Sequence, residues 1–349
     1  MYAASRGGFT QVAVLPSTSP RVDQASAVRN VLALAQEAQS DGTPAEALAL
    51  ACLSEKGFGE QLAEMHDMSE AGAVAFTDDS PLDRVSLLQR ALTYSKVHGK
   101  VVVDVPLDRD MNAGGLMHEG VVSTQMGVIG IPHEAETLRG SRDLDVLKYT
   151  EGRLHFAILT CADSVKMVRE AKRSGLKVTC GTTAAHLMFC DEDLDGFVGA
   201  LRVCPPFRSA ADREALRQGV LDGTIDMVVS DHRPEDLENH DVEFMLSPNG
   251  MATLPSAFSM ALSGLTESAP DSLAAIEALI NALNRGPRAV FSMTPSHLES
   301  GQACNLTWFH PNMKHSSHGG TKGVNVPPQI EGQKGQILGV FKSDRSWQA

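Results

Sequence analysis

The stretch LRVCPPFRSAADREALRQGVLDGTIDMVVSDHRPEDLE, Leu201 to Glu238, decides the reading of the whole chain. It contains a loop with two prolines, an amphipathic helix, a Gly turn and an almost wholly apolar strand, Ile225 to Ser230. A polar burst follows, Asp231-His232-Arg233-Pro234-Glu235-Asp236. An acid and an imidazole directly after a buried strand mark the end of a parallel sheet at which α/β barrels place their chemistry.

Working outward, the same unit recurs. Apolar strands are predicted at Phe9–Leu15, Leu48–Leu53, Ala73–Phe76, Lys100–Val105, Leu154–Leu159 and Lys177–Cys180. Helical periodicity follows most of them, over 24–38, 60–70, 82–98, 133–149 and 162–174. With Ile225–Ser230 this gives seven strands, each apolar along its length, as parallel strands buried on both faces are. Strands alternating with helices require right-handed crossovers and a parallel sheet. Residues 112–132 carry no clear period. Helices are predicted at 256–264, 273–283 and 287–293, then two strand-like pieces, Asn305–His310 and Gly335–Phe341, around an irregular loop, 314–329.

Composition narrows the classes. The 349 residues carry a net charge of −13, which disfavours nucleic acid and anionic membrane as partners. No apolar run approaches the roughly 18 residues of a membrane span. The first ten residues lack an apolar signal core, and the six cysteines are scattered without a CxxC, so a reduced, cytoplasmic protein is expected.

Six phrases carry a resemblance: GGFTQVAVLPSTSP (7–20), AGAVAFTDD (71–79), GLMHEGVVSTQMGVIGIPHEAE (115–136), VTCGTTAAHLMFCDEDL (178–194), RVCPPFRSAADREAL (202–216) and DGTIDMVVSDHRPED (222–236). Together they resemble the dihydroorotase family of the amidohydrolase superfamily, in the bacterial form that associates with aspartate carbamoyltransferase. The resemblance implies a (β/α)8 TIM-type barrel beside a small composite β-sandwich, and a one- or two-zinc centre that activates water to hydrolyse or form a cyclic amide in pyrimidine biosynthesis.

Set against that family, the chain begins at Arg6-Gly7-Gly8 and a strand, so a barrel lacking its first strand is expected, over residues 1–293. A remnant of the sandwich is expected over 294–349. The family's first two zinc ligands form a His-x-His on the first strand, and this sequence contains no His-x-His. Val105 and Ile158 stand where the resemblance places two further ligand histidines; His155 matches a family histidine that is not a ligand. Asp231 resembles the general base and Asp78 a metal-bridging carboxylate. Ser17, Cys204, Glu235, Pro248 and Gly250 fall at substrate-binding positions. Of these, Ser17 and Cys204 replace asparagines and Glu235 a histidine.

Each residue also has a plainer reading. Asp231-His232 could cap the next turn and Asp78-Asp79 the next helix. His186 reads as packed core and His118 as part of its loop. His310, His315 and His318 read as a solvent-exposed cluster, and Arg208 as a loop brace. The expectation is a non-catalytic homologue, without bound zinc, that holds aspartate carbamoyltransferase or a second copy of itself. The alternatives are an active zinc enzyme with a truncated start and an amidohydrolase acting on another cyclic amide or ureide. The open edges beside the absent strand call for upstream residues or a covering partner.

Overall fold

The computed structural model describes residues 1–40, 42–295, 298–316, 320–328 and 330–349. Its strands are β1 (Gln11–Val14), β2 (Glu46–Ala51), β3 (Ala75–Phe76), β4 (Val101–Asp104), β5 (Met117–His118), β6 (Gly130–Ile131), β7 (Leu154–Phe156), β8 (Val178–Thr183), β9 (Met227–Val229), β10 (Asn305–Lys314), β11 (Lys334–Lys342) and β12 (Arg345–Gln348). Seven of them form one sheet in the order β1-β2-β3-β4-β7-β8-β9. Every pairing in it is parallel.

The architecture is a (β/α)8 TIM-type barrel with seven strands in place. Among the described residues β1 and β9 each pair on one side only, so the barrel is open between them. The register aligns the carboxyl ends: Val14 lies opposite Ala49, Ala51 opposite Phe76, Asp104 opposite Phe156, and Thr183 opposite Val229. Residues just beyond those ends therefore share one rim.

The crossover helices form for local reasons. In Ala162–Arg173 the buried Val165, Val168 and Ala171 repeat every third residue, placing one stripe on the sheet. Lys172 and Arg173 occupy its last turn, where the helix dipole favours cations. Its first amide, Ala162 N, donates to Asp212 Oδ1 at 2.9 Å, so a neighbouring helix supplies the cap. That neighbour, Ala210–Leu221, is capped by its own Ser209, whose Oγ accepts from Asp212 N at 3.2 Å. Lys172 Nζ reaches Asp226 Oδ2 at 2.6 Å, and Cys180 N donates to the same oxygen at 2.8 Å, locking helix, β8 and the start of β9 together.

All seven barrel strands appear within a few residues of their predicted spans. The aperiodic 112–132 region holds β5 and β6, paired in parallel, with a short helix, Val121–Met126, between them. A five-residue helix, Tyr2–Arg6, precedes β1, where the sequence suggested a direct entry into strand. At the C-terminus β10, β11 and β12 make an antiparallel sheet, one strand more than predicted. It is tied to the N-terminal segment: Thr307 Oγ1 donates to Gly8 O at 2.7 Å and the Arg6 guanidinium lies over Trp347. Among the described residues no helix is long and apolar enough to cross a membrane, and all six cysteines are unpaired.

Candidate active site

The open barrel encloses a cavity of about 1180 Å³ whose wall includes Leu50, Val103, Val105, Ile158 and Met227. Polar groups gather at the carboxyl-terminal rim, and two carboxylates dominate them. Asp79 follows β3 and Asp231 follows β9, and both take a left-handed backbone, φ 54° and 45°. This conformation is uncommon for residues other than glycine and is best tolerated by Asp and Asn.

Both acids converge on Arg233. Its Nε donates to Asp231 Oδ1 at 2.9 Å, and its Nη2 donates to Asp79 Oδ1 at 3.0 Å. Ser17 Oγ donates to the other oxygen of Asp79, Oδ2, at 2.6 Å. Burial raises the Asp231 carboxyl above its ordinary range; Arg233 opposes the rise and Asp79 adds to it. Gly250 makes room for the guanidinium's stem. It has φ +131°, and a Cβ there would lie 2.5 Å from the Cβ of Arg233.

The other acid-bearing and histidine positions separate from this cluster. The carboxylate of Asp78 is fully buried and turned to the preceding loop, where it accepts from Leu53 N at 2.8 Å, Ser54 N at 2.9 Å and Ser54 Oγ at 2.5 Å. Asp79, one residue on, is the acid that reaches the rim, and neither residue caps the helix beginning at Val85. Glu235 lies outside the cavity wall and accepts from Asn239 Nδ2 at 3.3 Å. Pro248 is half-buried and also off the wall. Cys204 and Gly250 are on it; Asn112 Nδ2 approaches Cys204 Sγ at 3.8 Å.

Zinc, which the resemblance implies, can be tested against these donors. It requires three or four neutral imidazoles, thiolates or carboxylates around one point. Val105 and Ile158 face the cavity and offer none. His155 is buried, its Nδ1 is 2.9 Å from Thr179 Oγ1, and burial lowers its pKa to about 3. His232 Nδ1 accepts from Leu254 N at 3.1 Å, and burial lowers its pKa to about 4. Among the described residues no three His, Cys, Asp or Glu side chains are grouped as a metal site. The donor set does not fit zinc.

A second polar system braces the loops at the same end of the barrel. Glu136 accepts from Thr160 N at 3.0 Å, from Cys161 N at 3.2 Å and from Thr160 Oγ1. Arg208 Nε donates to that hydroxyl at 3.1 Å, while Nη1 bonds Ile131 O and meets His118 Nδ1 at 3.3 Å. Arg208 thus ties the loop after β7 to its own loop and to the ends of β5 and β6. His186 is packed edge-on to Phe207 with Nδ1 2.8 Å from Thr183 Oγ1.

Among the described residues the C-terminal histidines do not form an exposed cluster. His315 is buried, and its amide donates to Gln333 O at 2.6 Å. His310 Nδ1 accepts from Asn312 N and Met313 N. His318 lies outside the described residues. Sequence reasoning missed Arg233 and Asp79; the signal available was the Asp-x-Arg spacing at the end of the last barrel strand.

Comparison with known proteins adds the lineage. A family model described as dihydro-orotase-like matches residues 1–164. The structure superposes on the L-hydantoinase (dihydropyrimidinase) of Arthrobacter aurescens with a TM-score of 0.80, at 19% identity, covering 99% of this chain and 78% of that one. This likeness establishes the fold. In sequence the chain is 33% identical to a dihydroorotase of Syntrophus aciditrophicus over 93% of its own length and 75% of the relative's. A dihydroorotase of Pelotomaculum thermopropionicum is 37% identical over the same shares of the two chains. Identity at that level, spread over three quarters of each relative's length, places this chain in the dihydroorotase family.

Proposed function

We propose that this chain is a non-catalytic dihydroorotase homologue that serves as a structural partner of aspartate carbamoyltransferase in the cytoplasm. The observation that carries the first half is the composition of the rim. The positions at which the resemblance places ligand histidines hold the aliphatic Val105 and Ile158, and the carboxylates of Asp79 and Asp231 at the rim are bound to Arg233. A metal-dependent hydrolase needs a cation that lowers the pKa of water, and a general base free to take its proton. Here Asp231 Oδ1 is engaged by a guanidinium, and among the described residues no imidazole set accompanies it. Val105 and Ile158 keep the barrel wall apolar, so the fold is maintained where the donors are not.

The second half draws on the barrel's open side and on the family form that the six phrases resemble. Strand edges left unpaired at β1 and β9 present backbone donors and acceptors that a partner or a further segment would satisfy. The test is co-expression with aspartate carbamoyltransferase from the same source, followed by measurement of complex mass. A stable hetero-complex supports the reading. Two separately eluting proteins, or a homo-oligomer of this chain alone, would refute the partner.

The open side also favours a second reading, an active cyclic amide hydrolase completed by a strand that enters between β1 and β9 and brings its own metal ligands. Zinc-supported turnover of dihydroorotate by a longer chain decides between the two. An inserted strand leaves Val105, Ile158 and Arg233 in place, which is why the first reading is preferred.

A further inference from the structure

The rim does more than lack metal ligands. We propose that Arg233 is an internal cation that takes over the electrostatic task of a metal ion, holding Asp79 and Asp231 together and closing the site to divalent cations. This rests on the reading of the rim as non-catalytic and specifies how the residual carboxylates are accommodated.

Two acids from strands on opposite sides of the sheet meet one guanidinium, each through a separate nitrogen, at 2.9 and 3.0 Å. Arg233 presents a planar fork with several donors, which suits carboxylates approaching from two directions better than a point charge would. The seat is built from three sides. Gly250 is held at φ +131° with its amide donating to Arg202 O at 2.9 Å and its carbonyl accepting from Asn325 Nδ2 at 3.0 Å. Asn325 Nδ2 also donates to Arg233 O at 2.8 Å, fixing the backbone from which the guanidinium projects. Ser17 orients Asp79 from the opposite edge. Without a cation, two carboxylates brought together on a largely buried rim would repel each other, and each would carry a desolvation cost. An incoming divalent ion would have to displace a covalently tethered cation and would then find two carboxylates with no imidazole.

The test compares three full-length proteins in metal-free buffer: the natural chain, Arg233→Met, and the triple variant Asp79→Asn/Arg233→Met/Asp231→Asn. Melting temperature is read with and without manganese or zinc, and bound metal is measured by elemental analysis. Arg233→Met is expected to melt about 3 °C or more below the natural chain. It should recover part of that loss with millimolar manganese, which the natural chain does not respond to. The triple variant should melt within about 1–2 °C of the natural chain, because the charges have gone together.

An unchanged melting temperature in Arg233→Met overturns the proposal, as does a triple variant no more stable than Arg233→Met. If Arg233→Met cannot be purified folded, the triple variant decides alone: folded supports the proposal, unfolded refutes it. Dihydroorotate turnover by the zinc-loaded natural chain is the separate result that sinks the non-catalytic reading. The internal-cation claim falls on the melting series instead.

Discussion

Two arginine–carboxylate clusters sit at the same end of this barrel and balance their charge differently. The inner one lies beside the end of β4. Arg139, 2% exposed, lies 3.3 Å from Asp143, 3.2 Å from Asp83 and 3.8 Å from Asp104, and both Asp104 and Asp143 are completely buried. Arg142 adds a 2.7 Å contact to Asp143. Burial, with Asp143 nearby, raises the Asp104 carboxyl well above its ordinary range, and Arg139 only partly counters this. Burial thus favours the neutral form of Asp104 there. The outer cluster is at the rim, where Arg233 is 37% exposed and one guanidinium serves two acids. In the inner cluster burial favours a neutral Asp104, whereas at the rim one fixed guanidinium serves both acids.

Breaking the inner cluster has the largest expected effect. Arg139→Met leaves Asp104 and Asp143 facing each other in the interior, and is expected to cost about 3–5 kcal/mol in urea unfolding, the usual range for removing one partner of a buried pair. Breaking the outer cluster through its seat comes next. Gly250→Ala forces a side chain into a glycine-only backbone region and into the stem of Arg233, at a cost of about 2–3 kcal/mol. If Gly250→Ala proved harmless, the packing of Arg233 described here would be wrong.

Acid probes the imidazoles around the clusters. His155 and His186 have folded pKa values lowered to about 3 and about 4 by burial. A lowered histidine pKa means the neutral form is favoured in the fold. Its stability contribution is complete above the ordinary value of about 6.5 and is lost as pH falls toward the folded value. Unfolding free energy should therefore decline below pH 6.5 by up to about 1.4 kcal/mol per pH unit for each of the two. A flat profile between pH 6.5 and 4.5 in chemical denaturation would contradict their burial.

The smallest effect sharpens the proton's role. Asp104 has a raised pKa, so its contribution is complete below the ordinary carboxylate range and is lost as pH rises through the folded value. Asp104→Asn keeps a donor toward Asp143 without the ionisable proton. It is expected to be at least as stable as the natural chain at pH 7 and to gain on it as pH rises above the ordinary carboxylate range. A variant that loses ground at high pH would show that Asp104 works as a charged partner of Arg139.

The barrel was legible because burial on both faces writes each strand as an uninterrupted apolar run, such as Val101-Val102-Val103 or Met227-Val228-Val229. Spacing between runs then set the parallel order. The rim was legible only in part. Asp78 and Asp79 are neighbours in sequence, but strand alternation and the left-handed turn at Asp79 send one carboxylate back to Ser54 and the other into the mouth. No one-dimensional pattern distinguishes them. The role of Arg233 was not legible because its partner Asp79 is 154 residues away. The bracing by Glu136 was hidden for the same reason, since Glu136 reads as the solvated first turn of a helix and is wholly buried against Thr160.

The most direct test of the account is the zinc content and dihydroorotate turnover of the purified full-length chain after incubation with excess zinc and removal of the unbound ion. The rim geometry predicts below about a tenth of an equivalent of zinc and no turnover in either direction. Stoichiometric zinc with sustained turnover would contradict it, and would mean that Asp231 is released from Arg233 to act as the base.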